Sequence, residues 1–205
     1  MSAAIVVADI GIGNIGAAVG AWRALGHPVR RGSDRADFDE ARLLVVPGVG
    51  HLGSVLDALA ATGLDEAMVR RRERGMATLG VCVGMQALFD GGDEAPDRVG
   101  LGLLPGWVER MSPAPRLPEM QWNRLRVAEG ASGPLAVLEG AWVYFVHSYA
   151  VATTPAALAF EEFGGTWVAA AGRDALLGVQ FHPERSGAKG LRFLDALWRW
   201  VQEEC

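Results

Sequence analysis

The chain has 205 residues, 50% of them apolar and 21% charged, with a formal net charge of -5. That length suits one domain with a sizeable core, and the mildly acidic balance offers no general attraction to nucleic acid or to an anionic membrane. No run approaches the roughly 18–20 apolar residues of a membrane span, the N-terminus lacks a basic leader, and two cysteines, one of them terminal, make no disulfide framework, so the expected compartment is the cytoplasm.

Ala4 to Ala8 is a continuous apolar run of the kind found in a strand covered on both faces. Asp9 to Asn14 (DIGIGN) turns into a helix whose apolar residues Ile15, Ala18, Val19, Trp22 and Leu25 recur at helical spacing, with Gly26 as its stop. A short strand is expected around Val29, and a short helix or loop over Asp34 to Ala41. Leu43 to Val46 is a second buried strand, stopped at Pro47 and followed by the loop PGVGHLGS. Val55 to Arg74 reads as helix interrupted at Thr62 and Gly63, and its basic end, RRRER, as a solvated face.

Ala77 to Leu88 (ATLGVCVGMQAL) reads as strand, sharp turn and helix, with Cys82 at the turn between Gly80 and Gly84. Neither glycine adds a Cβ where backbones crowd. A thiol at such an elbow suits a nucleophile, because the amides that open the helix favour a thiolate and can hold an oxyanion. A free cysteine beside an apolar strand more often fills core space, so a base must be found to decide the matter.

Gly91 to Pro118 loses helical periodicity. Short β-like runs follow at Gly106 to Met111, Arg124 to Val127, Trp142 to Val146, Ala157 to Phe163, Thr166 to Ala171 and Leu176 to Phe181. From Gly190 an amphipathic helix closes the chain. Strands and helices alternate first and strands cluster later, which predicts an α/β fold: a three-layer sandwich around a mostly parallel sheet with antiparallel additions, in one domain over residues 1–205.

The base lies in LLGVQFHPE, Leu176 to Glu184. Pro183 is expected to keep the segment extended, which sets Glu184 on the same side as His182. A carboxylate beside an imidazole holds one tautomer and readies the ring to take a proton from a thiol.

Taken together, GVCVGMQ around Cys82 and QFHPE at Gln180 to Glu184 resemble the class I glutamine amidotransferases. DIGIGNIG at Asp9 to Gly16, PGVG at Pro47 to Gly50, PEMQWN at Pro118 to Asn123 and YFVHSY at Tyr144 to Tyr149 look like one group within them, the glutaminase subunits of imidazole glycerol phosphate synthase in histidine biosynthesis. Two positions depart from the usual pattern: Gln121 stands where glycine is usual, and Arg185 where lysine is common.

The resemblance implies that Cys82, His182 and Glu184 form a catalytic triad that hydrolyses glutamine through a cysteine thioester. It implies an oxyanion site from the backbone of Val83 and of the loop at Val49 and Gly50. Gln86 and the segment His147, Ser148 and Tyr149 would hold glutamine. Asn14, Trp122, Asn123, Tyr144 and Arg185 would lie at the interface with a cyclase subunit, a (β/α)8 barrel that receives the ammonia in a heterodimer. Neither a cofactor nor a metal is implied.

The residues themselves place His147, His51 and His27 as structural histidines, and most of the seven tryptophans in the core or the amphipathic helix. Trp122 is the exception, expected on a loop. Two rival readings are the glutaminase of another synthase, such as that for pyridoxal phosphate, and a dinucleotide-binding oxidoreductase. The latter rests on Gly11, Gly13 and Gly16 with Asp34 about 20 residues on.

Overall fold

The computed structural model describes residues 5–205 apart from residue 132. Its strands are β1 (Ile5–Ala8), β2 (Val29–Gly32), β3 (Leu43–Gly48), β4 (Ala77–Cys82), β5 (Gly91–Gly92), β6 (Trp107–Arg110), β7 (Glu119–Arg124), β8 (Arg126–Val127), β9 (Trp142–His147), β10 (Tyr149–Ala150), β11 (Ala157–Glu162), β12 (Thr166–Arg173) and β13 (Leu176–Val179). The helices are α1 (Ile15–Ala24), α2 (Arg35–Glu40), α3 (Leu52–Thr62), α4 (Leu64–Glu73), α5 (Val83–Gln86) and α6 (Gly187–Glu204). Ala4, the first residue of the expected opening strand, lies outside the described residues.

Eight strands form the main sheet in the order β2-β1-β3-β4-β13-β12-β11-β8. The first five run parallel and the last three are antiparallel additions, as expected. The continuous apolar runs of β1, β3, β4 and β13 are buried throughout, which a parallel strand covered on both faces requires. At the edge, β2 carries Arg30 and Arg31, charges that discourage pairing with another chain. Helix α1 packs against α6, and α2 and α3 each pack against α4, giving two helical layers around the sheet. Among the described residues no helix is long and apolar enough to cross a membrane.

Several expectations sharpen. Gly63, at φ 67°, is the left-handed residue that ends α3 and opens α4, so the break seen at Thr62 and Gly63 is a corner between two helices. The run 34–41 becomes α2, capped by Asp34, whose side chain accepts from the Asp37 amide. The basic end of α4 is a solvated face only in part: Glu73 and Arg74 are exposed, but Arg71 turns inward. Arg71 is fully buried and donates to the carbonyls of Phe38, Ala41 and Ala77 and to the Thr78 hydroxyl, so its charge is spread over acceptors that α2 and β4 leave free. Burial pushes its pKa down to about 10.

EMQWN, Glu119 to Asn123, lies in strand β7, paired antiparallel with β9, and not in a loop. Its alternation is inverted. Glu119, Gln121 and Asn123 point inward, while Met120 and Trp122 point outward, 54% and 47% exposed. Trp107 and Trp142 are exposed as well, so Trp122 is not the lone surface tryptophan.

Candidate active site

Strands β4 and β13 are parallel neighbours in register, Val81 opposite Val179, so the residues that follow each strand emerge at one edge of the sheet. In open parallel sheets that carboxyl edge is where ligands bind. Cys82 ends β4 and His182 lies three residues beyond β13. The topology thus brings together residues about a hundred positions apart.

Cys82 sits at φ 55° and ψ -115°, a conformation that residues with a Cβ rarely adopt. Its neighbours impose that geometry. A Cβ on Gly84 would stand 2.0 Å from the Val46 carbonyl oxygen, one on Gly80 2.6 Å from that of Gly84, and one on Gly48 2.4 Å from the Gly84 nitrogen. Backbone packs directly on backbone, and the thiol is carried to the end of β4.

His182 Nδ1 lies 2.8 Å from Glu184 Oε1. A one-turn helix over Pro183–Arg185 brings them together, in place of the expected extended segment, and Gly190 makes room for it: a Cβ there would meet the Pro183 oxygen at 1.9 Å. His182 Nε2 has no hydrogen-bond partner among the described residues. Burial alone would lower the pKa of the ring, but the Cys82 thiol and then Glu184 outweigh it and push it up to about 10. The arrangement favours an imidazolium beside sulfur.

Cys82 and His182 line one cavity of about 160 Å³ with Val49, Gly50, Val83, Gln86, Val146, His147, Ser148, Tyr149 and Glu94. Cys82 is 3% exposed, and Gln180 Nε2 approaches its sulfur at 3.7 Å. Gln86 Nε2 donates to the Tyr149 carbonyl at 2.8 Å and to Gln180 Oε1 at 3.0 Å, tying the helix side of the cavity to the strip after β9. Glu94 was not singled out in the sequence; it lies in a Gly- and Pro-rich stretch without periodicity. Its carboxylate accepts from the Leu52 amide at 2.7 Å, bracing the start of α3 just after Gly50.

The family profile of Glutamine amidotransferase class-I matches residues 27–196. The chain therefore belongs to the class I glutamine amidotransferases. Within that family it is 43% identical over 195 residues to "Imidazole glycerol phosphate synthase subunit HisH" of Thermus thermophilus, covering 95% of this chain and 96% of the relative. It is 41% identical to the HisH subunit of Symbiobacterium thermophilum, with 97% and 95% covered. These relatives place it in the HisH group and set aside the oxidoreductase and pyridoxal phosphate synthase readings. A solved structure described as "Crystal structure of glutamine amidotransferase" shares the fold with a TM-score of 0.77 at 21% identity, over 97% of this chain and 99% of that one.

The positions that resembled the family's partner face are scattered in kind. Asn14 caps α1, its side chain accepting from the Ala17 amide. Asn123 points inward and donates to Glu119, Glu161 and the Glu162 carbonyl. Trp122, Tyr144 and Arg185 reach the surface or its margin. Trp122 meets Tyr144 edge-on at 6.3 Å between ring centroids, and Tyr144 lies 6.4 Å from the His182 ring. His51 and His27 are structural: the first caps α3, and the second binds Asp195 between Trp22 and Trp198.

Proposed function

We propose that the cavity is a glutaminase site, that residues 1–205 act as one glutamine amidotransferase domain, and that the ammonia released is passed to a cyclase subunit of imidazole glycerol phosphate synthase. One observation carries this reading: a thiol on a strained elbow shares a buried cavity with an imidazole whose Nδ1 is held by a carboxylate and whose Nε2 is free.

In this reading the Cys82 thiolate attacks the carboxamide carbon of glutamine. The oxyanion is held by the Val83 amide and by the backbone of Val49 and Gly50. His182 gives its Nε2 proton to the nitrogen as the carbon–nitrogen bond breaks, and ammonia leaves a thioester on Cys82. The same ring then takes a proton from water, whose oxygen attacks the thioester and frees glutamate. Glu184 keeps the ring in one tautomer throughout. Glu94 offers the substrate's α-ammonium a carboxylate, while Gln86 and the His147 to Tyr149 strip bound its amino acid end.

The outward face of the β7–β9 hairpin is the candidate docking surface. Met120, Trp122, Tyr144 and the 57% exposed Trp142 sit on one face, an apolar concentration that water does not favour. Trp122 touches Tyr144, which touches His182, so a partner pressing on that face reaches the site through two rings. In this reading the pair works in the cytoplasm. Glutamine hydrolysis is expected to be slow for the chain alone and to rise when the cyclase subunit and its ribonucleotide ligand are added. An undiminished rate without the partner would refute the coupling.

A further inference from the structure

Behind the glutamine-facing strip, Glu119 of β7, His147 of β9 and Glu161 of β11 converge with their side chains 3% exposed or less. His147 Nε2 lies 3.3 Å from Glu161 Oε1 and 3.7 Å from Glu119 Oε2. These three atoms have no hydrogen-bond partner among the described residues.

Every other polar atom of the three side chains is engaged. His147 Nδ1 is 3.0 Å from the Tyr149 carbonyl oxygen, which can only accept, so Nδ1 carries the hydrogen and the neutral ring turns a lone pair at Nε2 toward the two carboxylates. Asn123 Nδ2 donates to Glu119 Oε1 and Glu161 Oε2, and Gln121 Nε2 also donates to Glu119 Oε1. Three acceptors are left aimed at one another in a dry interior, an arrangement that repels unless something positive lies between them.

The geometry suits a metal ion. Donors about 2.0–2.2 Å from a tetrahedrally bound zinc ion stand roughly 3.3–3.6 Å apart; the 3.3 Å separation from Nε2 falls in that range and the 3.7 Å one just beyond it. A ring N–H on a backbone carbonyl and amide groups on the outer carboxylate oxygens are the usual outer support of such ligands. Burial, the largest influence on each group, opposes every charge the cluster could carry unaided: it pushes the carboxyls up to about 7 and about 8 and the imidazole down to about 4. A doubly charged cation would offset both carboxylates at once.

We propose that Glu119 Oε2, His147 Nε2 and Glu161 Oε1 bind one divalent transition-metal ion of the zinc type, which fastens the β7–β9 hairpin to β11 of the main sheet. This departs from the sequence reading, which implied no metal. The ion would be structural: it touches none of Cys82, His182 or Glu184, and it fixes the strand that presents Val146 to Tyr149 to the cavity.

The test uses the full chain carrying Cys82→Ala and Cys205→Ser, so that no thiol competes for the probe. After chelation and dialysis, Zn2+ is titrated by calorimetry, and metal content is read by mass spectrometry. About one tightly held equivalent and a raised melting temperature are expected, with affinity at least tenfold weaker in Glu161→Gln. If that variant does not fold, Glu119→Gln serves the same comparison, and Co2+ loaded into the parent should show visible d–d absorption without a thiolate charge-transfer band. No uptake and no thermal shift would overturn the proposal and leave shared protons holding the cluster. Equal uptake by the glutamine variants would overturn it as well.

Discussion

Strand β4 ends in the cavity with Cys82, β7 backs the strand β9 whose end lines that cavity, and the two are built on opposite plans. In β4 every residue is buried, and Cys82 is placed by backbone packing on glycine. In β7 the polar side chains face inward and the apolar ones face water, and Asn123, Gln121 and Glu119 place the strand by hydrogen bonds. One wall is rigid because nothing fits between its backbones. The other is fixed by a polar network, and it turns its apolar face to solvent.

The contrast can be broken most sharply at the elbow. Gly84→Ala puts a Cβ 2.0 Å from the Val46 oxygen, and a shift of about 1 Å at the nucleophile is expected to cost on the order of a hundredfold in glutamine turnover. Gly16→Ala, in open space on α1, should leave the rate unchanged. Next is Arg71→Met, which leaves four acceptors around β4 and α2 without a donor; urea unfolding should report a loss of about 3–5 kcal/mol.

On the hairpin side the effects are smaller and fall elsewhere. Trp122→Ala should keep its melting temperature and weaken cyclase binding by about 2 kcal/mol, read as a raised dissociation constant. Asn123→Ala should cost about 1–2 kcal/mol and speed hydrogen exchange in β7 and β9 while β4 stays protected.

The last effect is electrostatic and is read as a slope against pH. Because contact with Cys82 and Glu184 raises the His182 pKa from 6.5 to about 10, its contribution to stability is complete below pH 6.5. Between those values the folded chain holds a proton that the unfolded chain has lost, so the free energy of unfolding falls as pH rises, by at most about 1.4 kcal/mol per pH unit. Glu184→Gln should flatten the upper part of that slope.

The same contrast explains what the sequence disclosed. The parallel strands were legible because burial on both faces demands uninterrupted apolar runs, and the elbow because glycines flank a cysteine. Strand β7 was not, since inward glutamate and outward tryptophan reverse the pattern that marks a half-buried strand. Arg71 looked like part of a solvated basic run because sequence shows its charge and not the carbonyls that α2 and β4 turn toward it. The turn at Pro183–Arg185 was misread as extended, yet it brings Glu184 to His182 all the same. Glu94 and the Glu119, His147 and Glu161 cluster join residues from separate elements, and no local spacing announces such a meeting.

In this reading the Cys82 sulfur does the chemistry on glutamine, and no other step in the complex needs it. The direct measurement is turnover of the Cys82→Ala chain bound to the cyclase subunit, with glutamine and with free ammonia as alternative nitrogen sources. No turnover on glutamine and undiminished turnover on ammonia are expected. Turnover on glutamine in that variant, or loss of both reactions from a folded complex, would contradict that reading.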